Sequence, residues 1–263
     1  MLLLGLCEER PELVEKAILA LEYAFARQDP QGFFQNGLGV AEQKAINADT
    51  FFLQAYAQVY GLLKSSRFAP QYLGRLDALQ PKLRAAMTWL QENADEMSRQ
   101  DKLTANRLAF DALAFLLNGS LLKDQSLIDI GKRFVTDALA MQTDAGVFLE
   151  KGGYDSSYQA VSLLNLQIAW LVLDDPQLRQ GTFLAMVRGM EWLKSRILPS
   201  GEVSALGNSR TGQGQETFFG KTKEVNYGEV AFVLFAWSVI ANDKDAESLA
   251  KNVIGFALQH SPT

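Results

Sequence analysis

At 263 residues, 48% hydrophobic and 21% charged, the chain has the composition of a water-soluble globular protein. A net charge of −5 and the lack of any Lys/Arg cluster argue against nucleic acid, whose phosphates call for a dense basic face. A lone cysteine, Cys7, excludes an internal disulfide. A lone histidine, His260, excludes Cys/His zinc sites and argues against a Ser–His–Asp or Cys–His catalytic pair. No Gly-x-Gly-x-x-Gly or phosphate-loop motif occurs, so no nucleotide is expected. No cofactor is expected and no residue is assigned to a metal, while metal dependence stays open.

Residues 1–6 are an apolar run with Glu8-Glu9-Arg10 behind it and no basic segment ahead. The run is too short for a signal peptide or a membrane span and reads as the start or flank of the first helix. With no signal peptide visible, a soluble protein is expected, cytoplasmic or exported with its signal removed; the oligomeric state stays open. Residues 11–28 form the first amphipathic helix, opened by Pro11-Glu12, with Leu13, Val14, Ala17, Leu21 and Tyr23 or Ala24 on one side. A long loop over 29–46 leads to a mostly apolar helix over 48–63. The pairing then recurs. Amphipathic 79–94 precedes apolar 108–117, amphipathic 126–142 and a loop over 143–154 precede apolar 160–173, and amphipathic 176–197 and a loop over 198–225 precede apolar 230–241. A further amphipathic helix covers 244–259, and the four tryptophans sit at core-like spacing on helices.

Helices apolar on most sides are buried, and half-apolar ones form an outer layer. Connections from buried to outer helices are short, as at Asp174-Asp175, which reads as a turn and helix cap. Connections from outer to buried helices are long and end on a capping residue, Asn47, Asp155 or Asn226, with Asn106 as the equivalent in the second repeat. The long loops should therefore gather at one end, beside the positive ends of the buried helices, where an anion is favoured.

A repeat underlies this order. Tyr23 and Trp192 each precede a glycine, Gly32 or Gly201, by nine positions; Gln28-x3-Gly32-x-Phe34 and Gln142-x3-Gly146-x-Phe148 share their second half. Copies beginning near 23, 89, 137, 192 and 256 have a mean spacing of about 58 residues, the length of a helical hairpin with its loop. Such units bury their faces only against neighbours. The expected fold is all-α: one domain over 1–263, an incomplete or small α/α toroid of helical hairpins in two layers.

The motif Gln-x3-Gly-x-aromatic, with an aromatic nine residues before the glycine, resembles the Gln-Trp repeats of terpenoid-cyclase toroids, and Arg188-Gly189-x2-Trp192-Leu193 matches its front. The cyclases' Asp-rich acid motif is missing. Protein prenyltransferases and lanthionine cyclases share the fold but hold zinc through Cys and His that this chain lacks. Gln28-Asp29-Pro30-Gln31-Gly32-Phe33-Phe34 with Ile46-Asn47-Ala48-Asp49-Thr50 is similar to the sugar-binding loop and helix start of toroidal pectate lyases. Gly146-Val147-Phe148-Leu149-Glu150, continuing through Gly153-Tyr154, resembles the Gly-x-Phe-x-Glu…Gly-Tyr segment of heparinase-like lyases, with Asp155 where those enzymes carry His. The resemblance implies a poly- or oligosaccharide partner, most naturally a uronate-containing one.

Tyr154-Asp155-Ser156-Ser157-Tyr158-Gln159 is the densest polar cluster. As an N-cap, Asp155 would bind the amides of Ser157 or Tyr158 and set Tyr158 on the first helical turn. In a lyase Tyr158 would take the proton beside a uronate carboxylate, with Asp155 assisting and Gln159, Asn226 or Asn47 neutralising that carboxylate. Phe34, Asp49, Glu150, Tyr154, Arg210, Tyr227 and Glu229 complete the expected sugar-binding set. Glu229 with Asp155 or Glu150 is the alternative, the carboxylate pair of a glycosidase. A non-catalytic toroidal scaffold binding glycan or protein is a third reading. The Gly-rich segment 198–225, with Arg210, Lys221, Lys223, Phe218 and Phe219, reads as a lid over the site or as an unstructured insertion.

Overall fold

The computed structural model describes residues 1–35 and 45–260. The described chain is all-helical apart from one small hairpin. In order come α1 (Leu2–Cys7), α2 (Pro11–Ala26), α3 (Ala45–Lys64), α4 (Ala69–Asp77), α5 (Gln80–Glu92), α6 (Ala94–Asp101), α7 (Ala105–Leu122), α8 (Gln125–Ala140), α9 (Ser156–Val172) and α10 (Pro176–Ser195). The antiparallel pair β1 (Thr217–Phe218) and β2 (Lys221–Thr222) follows, then α11 (Tyr227–Ala241) and α12 (Lys244–His260). Among the described residues no helix is long and apolar enough to cross a membrane. The chain divides into two compact units, residues 1–99 with 113–131 and residues 100–112 with 132–263.

In the first unit α2 packs on α1 and α4, and α3 on α4 and α5. Pro11 sits at the start of α2, where its missing N–H costs nothing. The buried stripe of that helix is Val14, Ile18, Leu21 and Phe25, not the neighbouring stripe ending at Tyr23; Tyr23 is exposed beneath the Arg27 guanidinium. Phe25 is the centre of an aromatic cluster with Phe34, Phe52 and Tyr56, ring centroids 5.2–5.4 Å away. A fully buried ring such as Phe25 or Tyr56 contributes roughly 1.5–3 kcal/mol. Helices α4 and α6 lie largely outside the helical stretches expected from the sequence, and the 1–6 run forms a short helix of its own.

In the second unit α9 packs on α10 and α11, and α11 on α12, so two hairpins stand side by side. Asp155 caps α9, Asp175 caps α10 and Asn226 caps α11, as their spacing predicts. Asn47 and Asn106 lie inside α3 and α7 rather than at their caps. Burial of the apolar helices is also less even than their composition suggests. In α11, Phe232 is 53% and Val239 83% exposed, because apolar composition reports affinity for cover and not its presence. Of the tryptophans, Trp89 and Trp237 are core, whereas Trp170 and Trp192 are only half-buried.

The repeated glycines have one structural role. At Gly32, Gly146 and Gly201 the backbone has φ of +106°, +85° and +88°. A Cβ there would lie 2.5 Å from the Ala85 carbonyl oxygen, 2.3 Å from that of Arg188 and 2.2 Å from that of Asn252. Each loop thus lays bare backbone against a downstream amphipathic helix, which only glycine permits. Gln28 and Gln142 staple two of these contacts: Gln28 Nε2 donates to Gly32 O and Lys82 O, and Gln142 Nε2 to Gly146 O and Ala185 O. The third copy has Ile197 in that place and keeps only the backbone bridge to Val203.

Candidate active site

The second unit gathers the N-terminal ends of α7, α9 and α11 and two of the long loops. Ala105 N donates to Leu149 O, and Lys151 N to Leu103 O, so the 143–154 loop runs along the start of α7. Ser209 N donates to Tyr154 O and Asn226 N to Ser157 Oγ, which adds the 198–225 loop and the start of α11. Half of the first long loop, residues 36–44, lies outside the described residues.

Asp155 ties this end together. Its Oδ1 accepts from the amides of Ser157 and Tyr158 at 3.0 and 3.1 Å, the expected cap. Its Oδ2 accepts from the amides of Arg210 and Thr211 at 3.0 and 2.8 Å, and the Thr211 hydroxyl donates to both oxygens. The residue is fully buried. A carboxylate enclosed by five donors has no lone pair left for a substrate, so Asp155 is a positioning residue and not the proton-transfer assistant its place in the sequence implies.

Glu150, also fully buried, accepts from the Asn106 amide at 2.9 Å and from Arg210 Nη1 at 3.0 Å. Burial pushes its carboxyl up to about 7, against the Asn106 amide and the Arg210 guanidinium, while the Asp155 charge adds to the rise. The positive ends of α7 and α9 are therefore occupied by the protein's own carboxylates, not held open for an anionic ligand. Gln159 is likewise enclosed. Its Oε1 accepts from Phe148 N, and its Nε2 donates to Gly146 O and Gly189 O, so its amide belongs to the glycine turn and not to a ligand.

What faces outward is a phenol among cations. Tyr158, half-buried on the first turn of α9, has its hydroxyl 2.7 Å from Lys223 Nζ, and the Arg210 guanidinium lies 3.8 Å from its ring centroid. Arg210 also donates through Nε and Nη2 to the Glu216 carboxylate, at 3.1 and 3.3 Å. Glu216 accepts in addition from Lys223 at 2.9 Å and from Lys151. Burial acts to raise the Glu216 carboxyl, but hydrogen bonds from Lys151, Lys223 and Arg210 outweigh it and hold the group at about 2. Lys223 is held above its ordinary value: burial opposes its charge, and the bonds to Tyr158 and Glu216 overcome that.

Tyr158, Arg210 and Lys223 lie in segments that the sequence marks as candidates, whereas nothing local marks Glu216, whose role depends on a pairing that no local pattern encodes. Tyr154 donates to Leu206 O at 3.2 Å and meets Trp192 edge-on at 5.7 Å. The 198–225 segment is thus an anchored loop, fixed by Asp155, Glu150 and Tyr154. Asn226 is exposed and caps α11. The Tyr227 ring stacks on Phe256 at 5.4 Å. Glu229 is half-buried, and its carboxyl is raised by burial against the Asn226 bond. Phe34, Asn47 and Asp49 belong to the first unit. Phe34 is core, turned inward by the Gln28–Phe34 bridge and packed on Phe25, so its ring is closed to a sugar face. Asn47 is half-buried within α3; Asp49 is buried and accepts from Phe34 N at 2.8 Å, the counterpart of Gln159 with Phe148.

Among the described residues no group of three or more His, Cys, Asp and Glu side chains is arranged to hold a metal ion. Comparison of the chain with protein-family models, curated proteins and solved structures found no match.

Proposed function

We propose that the helical hairpins form part of a small α/α toroid and that the Tyr158 centre cleaves a uronate-containing polysaccharide by β-elimination. The observation that carries the reading is the Tyr158 hydroxyl held 2.7 Å from Lys223 Nζ with the Arg210 guanidinium across its ring. In the elimination, Tyr158 as phenolate takes the proton from the carbon next to the sugar carboxylate. The carbon–oxygen bond to the neighbouring sugar breaks as a carbon–carbon double bond forms. The phenol then returns the proton to the departing oxygen, and the phenolate is restored. Lys223 and the more exposed Lys151 offset the charge of the sugar carboxylate as it delocalises, which is where electrostatic stabilisation gains most. Arg210, its donors engaged by Glu150 and Glu216, holds the ring in place.

A two-carboxylate hydrolase has less support, because Asp155 and Glu150 are enclosed and their oxygens are engaged. The test is a panel of uronate polymers followed in the ultraviolet. Elimination creates an absorbing unsaturated end with each cut, whereas hydrolysis yields reducing ends alone. Reducing ends without absorbance would establish the hydrolase reading, and binding without any cleavage would leave a glycan-binding scaffold.

A further inference from the structure

Three cations beside Tyr158 converge on one carboxylate. Arg210 Nε, at 3.1 Å, and Lys151 donate to Glu216 Oε1, while Arg210 Nη2 and Lys223 donate to Oε2 at 3.3 and 2.9 Å. A guanidinium that grips both oxygens, with an ammonium on each, is a seat shaped for a carboxylate, and the protein's own carboxylate fills it. The seat lies one bridge from the phenol, because Lys223 Nζ is 2.9 Å from Glu216 and 2.7 Å from the Tyr158 hydroxyl. A sugar carboxylate approaching Lys223 and Lys151 therefore meets Glu216 already on both of them.

The seat and its occupant are held differently. Arg210 is fixed by its amide on Asp155 and its Nη1 on Glu150, and Lys151 by its amide on Leu103 O, all without Glu216. Glu216 instead stands at the base of the β1–β2 hairpin, where residues 213–215 and 219–222 are exposed. Gly212 and Gly214, at φ +107° and +81°, give the backbone two joints just ahead of it. Its carboxyl is held at about 2, so acid does not empty the seat at ordinary pH, but a competing carboxylate can. We propose that Glu216 is an internal stand-in for the ligand's carboxylate. It latches the β1–β2 hairpin to the cation seat until the ligand displaces it, so that binding and release of the hairpin are one event. The inference rests on the Tyr158 reading for the identity of the ligand and adds the step by which the site opens. A tethered carboxylate competes at an effective concentration on the order of millimolar, so a lone acid sugar binds weakly while a chain with further contacts prevails.

The experiment compares wild type with Glu216→Gln and Glu216→Asp, with free glucuronate as the probe and glucose as its uncharged counterpart, at constant ionic strength. Binding is read by ligand-observed NMR and release of the hairpin by hydrogen exchange. Glu216→Gln, which keeps the shape without the charge, should bind glucuronate about tenfold more tightly than wild type, the worth of the ion pairs that no longer have to be broken. Glu216→Asp should stay close to wild type, and glucose should bind to none of them. Amides of residues 212–216 should exchange faster in Glu216→Gln without ligand, with protection in α9 to α12 unchanged as the check on the fold. Glucuronate should speed the same amides in wild type, an arm that needs no variant. Equal affinity in wild type and Glu216→Gln, exchange at 212–216 that glucuronate leaves unaltered, or no binding to either chain would each overturn the latch. Uronate polymer cleaved to an unsaturated product by a wild type whose Glu216→Gln variant binds no tighter would remove the latch and leave the Tyr158 reading standing. Tighter binding and faster exchange in Glu216→Gln, with no polymer cleaved by either chain, would keep the latch and remove that reading.

Discussion

Asp155 offers a sharp test of how this end of the molecule is built, because its shape can be kept while its hydrogen-bonding character is changed. As a helix cap alone it would be worth about 0.5–2 kcal/mol, and asparagine would replace it at little cost. The structure gives it a second task, since Oδ1 serves the start of α9 while Oδ2 serves the amides of Arg210 and Thr211. An asparagine must turn its NH2 toward one of these amide pairs, setting donor against donor in a fully buried place. Two backbone donors then lack an acceptor at about 1–3 kcal/mol each, so Asp155→Asn should cost about 3 kcal/mol. Asp155→Ala should cost about 3–5 kcal/mol, for it strands both pairs. In a chain of this length 3 kcal/mol lowers the melting temperature by about 6–12 °C. Thermal melts give the size, and hydrogen exchange gives the place: protection should be lost at residues 208–212 and at the first turn of α9. If Asp155→Asn melts within about 1 °C of wild type with that protection intact, the double acceptor role is wrong.

Further expectations can be checked separately. Tyr158→Phe should slow elimination by about 10²–10⁴-fold while moving stability by about 1 kcal/mol; an unchanged rate on a cleaved substrate would remove Tyr158 from the mechanism. Gly146→Ala, whose Cβ would lie 2.3 Å from the Arg188 carbonyl oxygen, should cost about 2–4 kcal/mol. Gly152→Ala, at φ +81° but in open space, should cost only about 1 kcal/mol, so equal costs in denaturant titrations would contradict the close-approach account. Asp49 has its carboxyl raised to about 8 by burial, against the pull of the Phe34 amide. The folded state therefore keeps a proton that the unfolded chain releases near pH 4, and the stability this adds is full below about pH 4. It falls as pH rises toward 8, by at most about 1.4 kcal/mol per unit. Asp49→Asn, imitating Gln159, should flatten that slope, and an unaltered slope would show that another group causes it.

The all-helical class, the division into amphipathic and apolar helices, and the caps at Asp155, Asp175 and Asn226 are all legible in the chain. These are local matters, set by a 3.6-residue period and by side chains reaching two or three residues along the chain. The chain also marks the glycines of the repeat, although not their reason, which is the carbonyl of a helix some 50 residues onward lying against each one. Which polar residues stay free depends on the assembled fold. Asp155, Glu150 and Gln159 look available in a loop sequence but are consumed by partners 11 to 60 residues away. Glu216, unremarkable in sequence, draws Arg210, Lys223 and Lys151 into one network and so leaves the Tyr158 phenol among cations. A hydrogen-bonding group advertises its capacity in the sequence, but only the assembled fold determines whether that capacity is already spent, because burial and pairing depend on segments far apart along the chain.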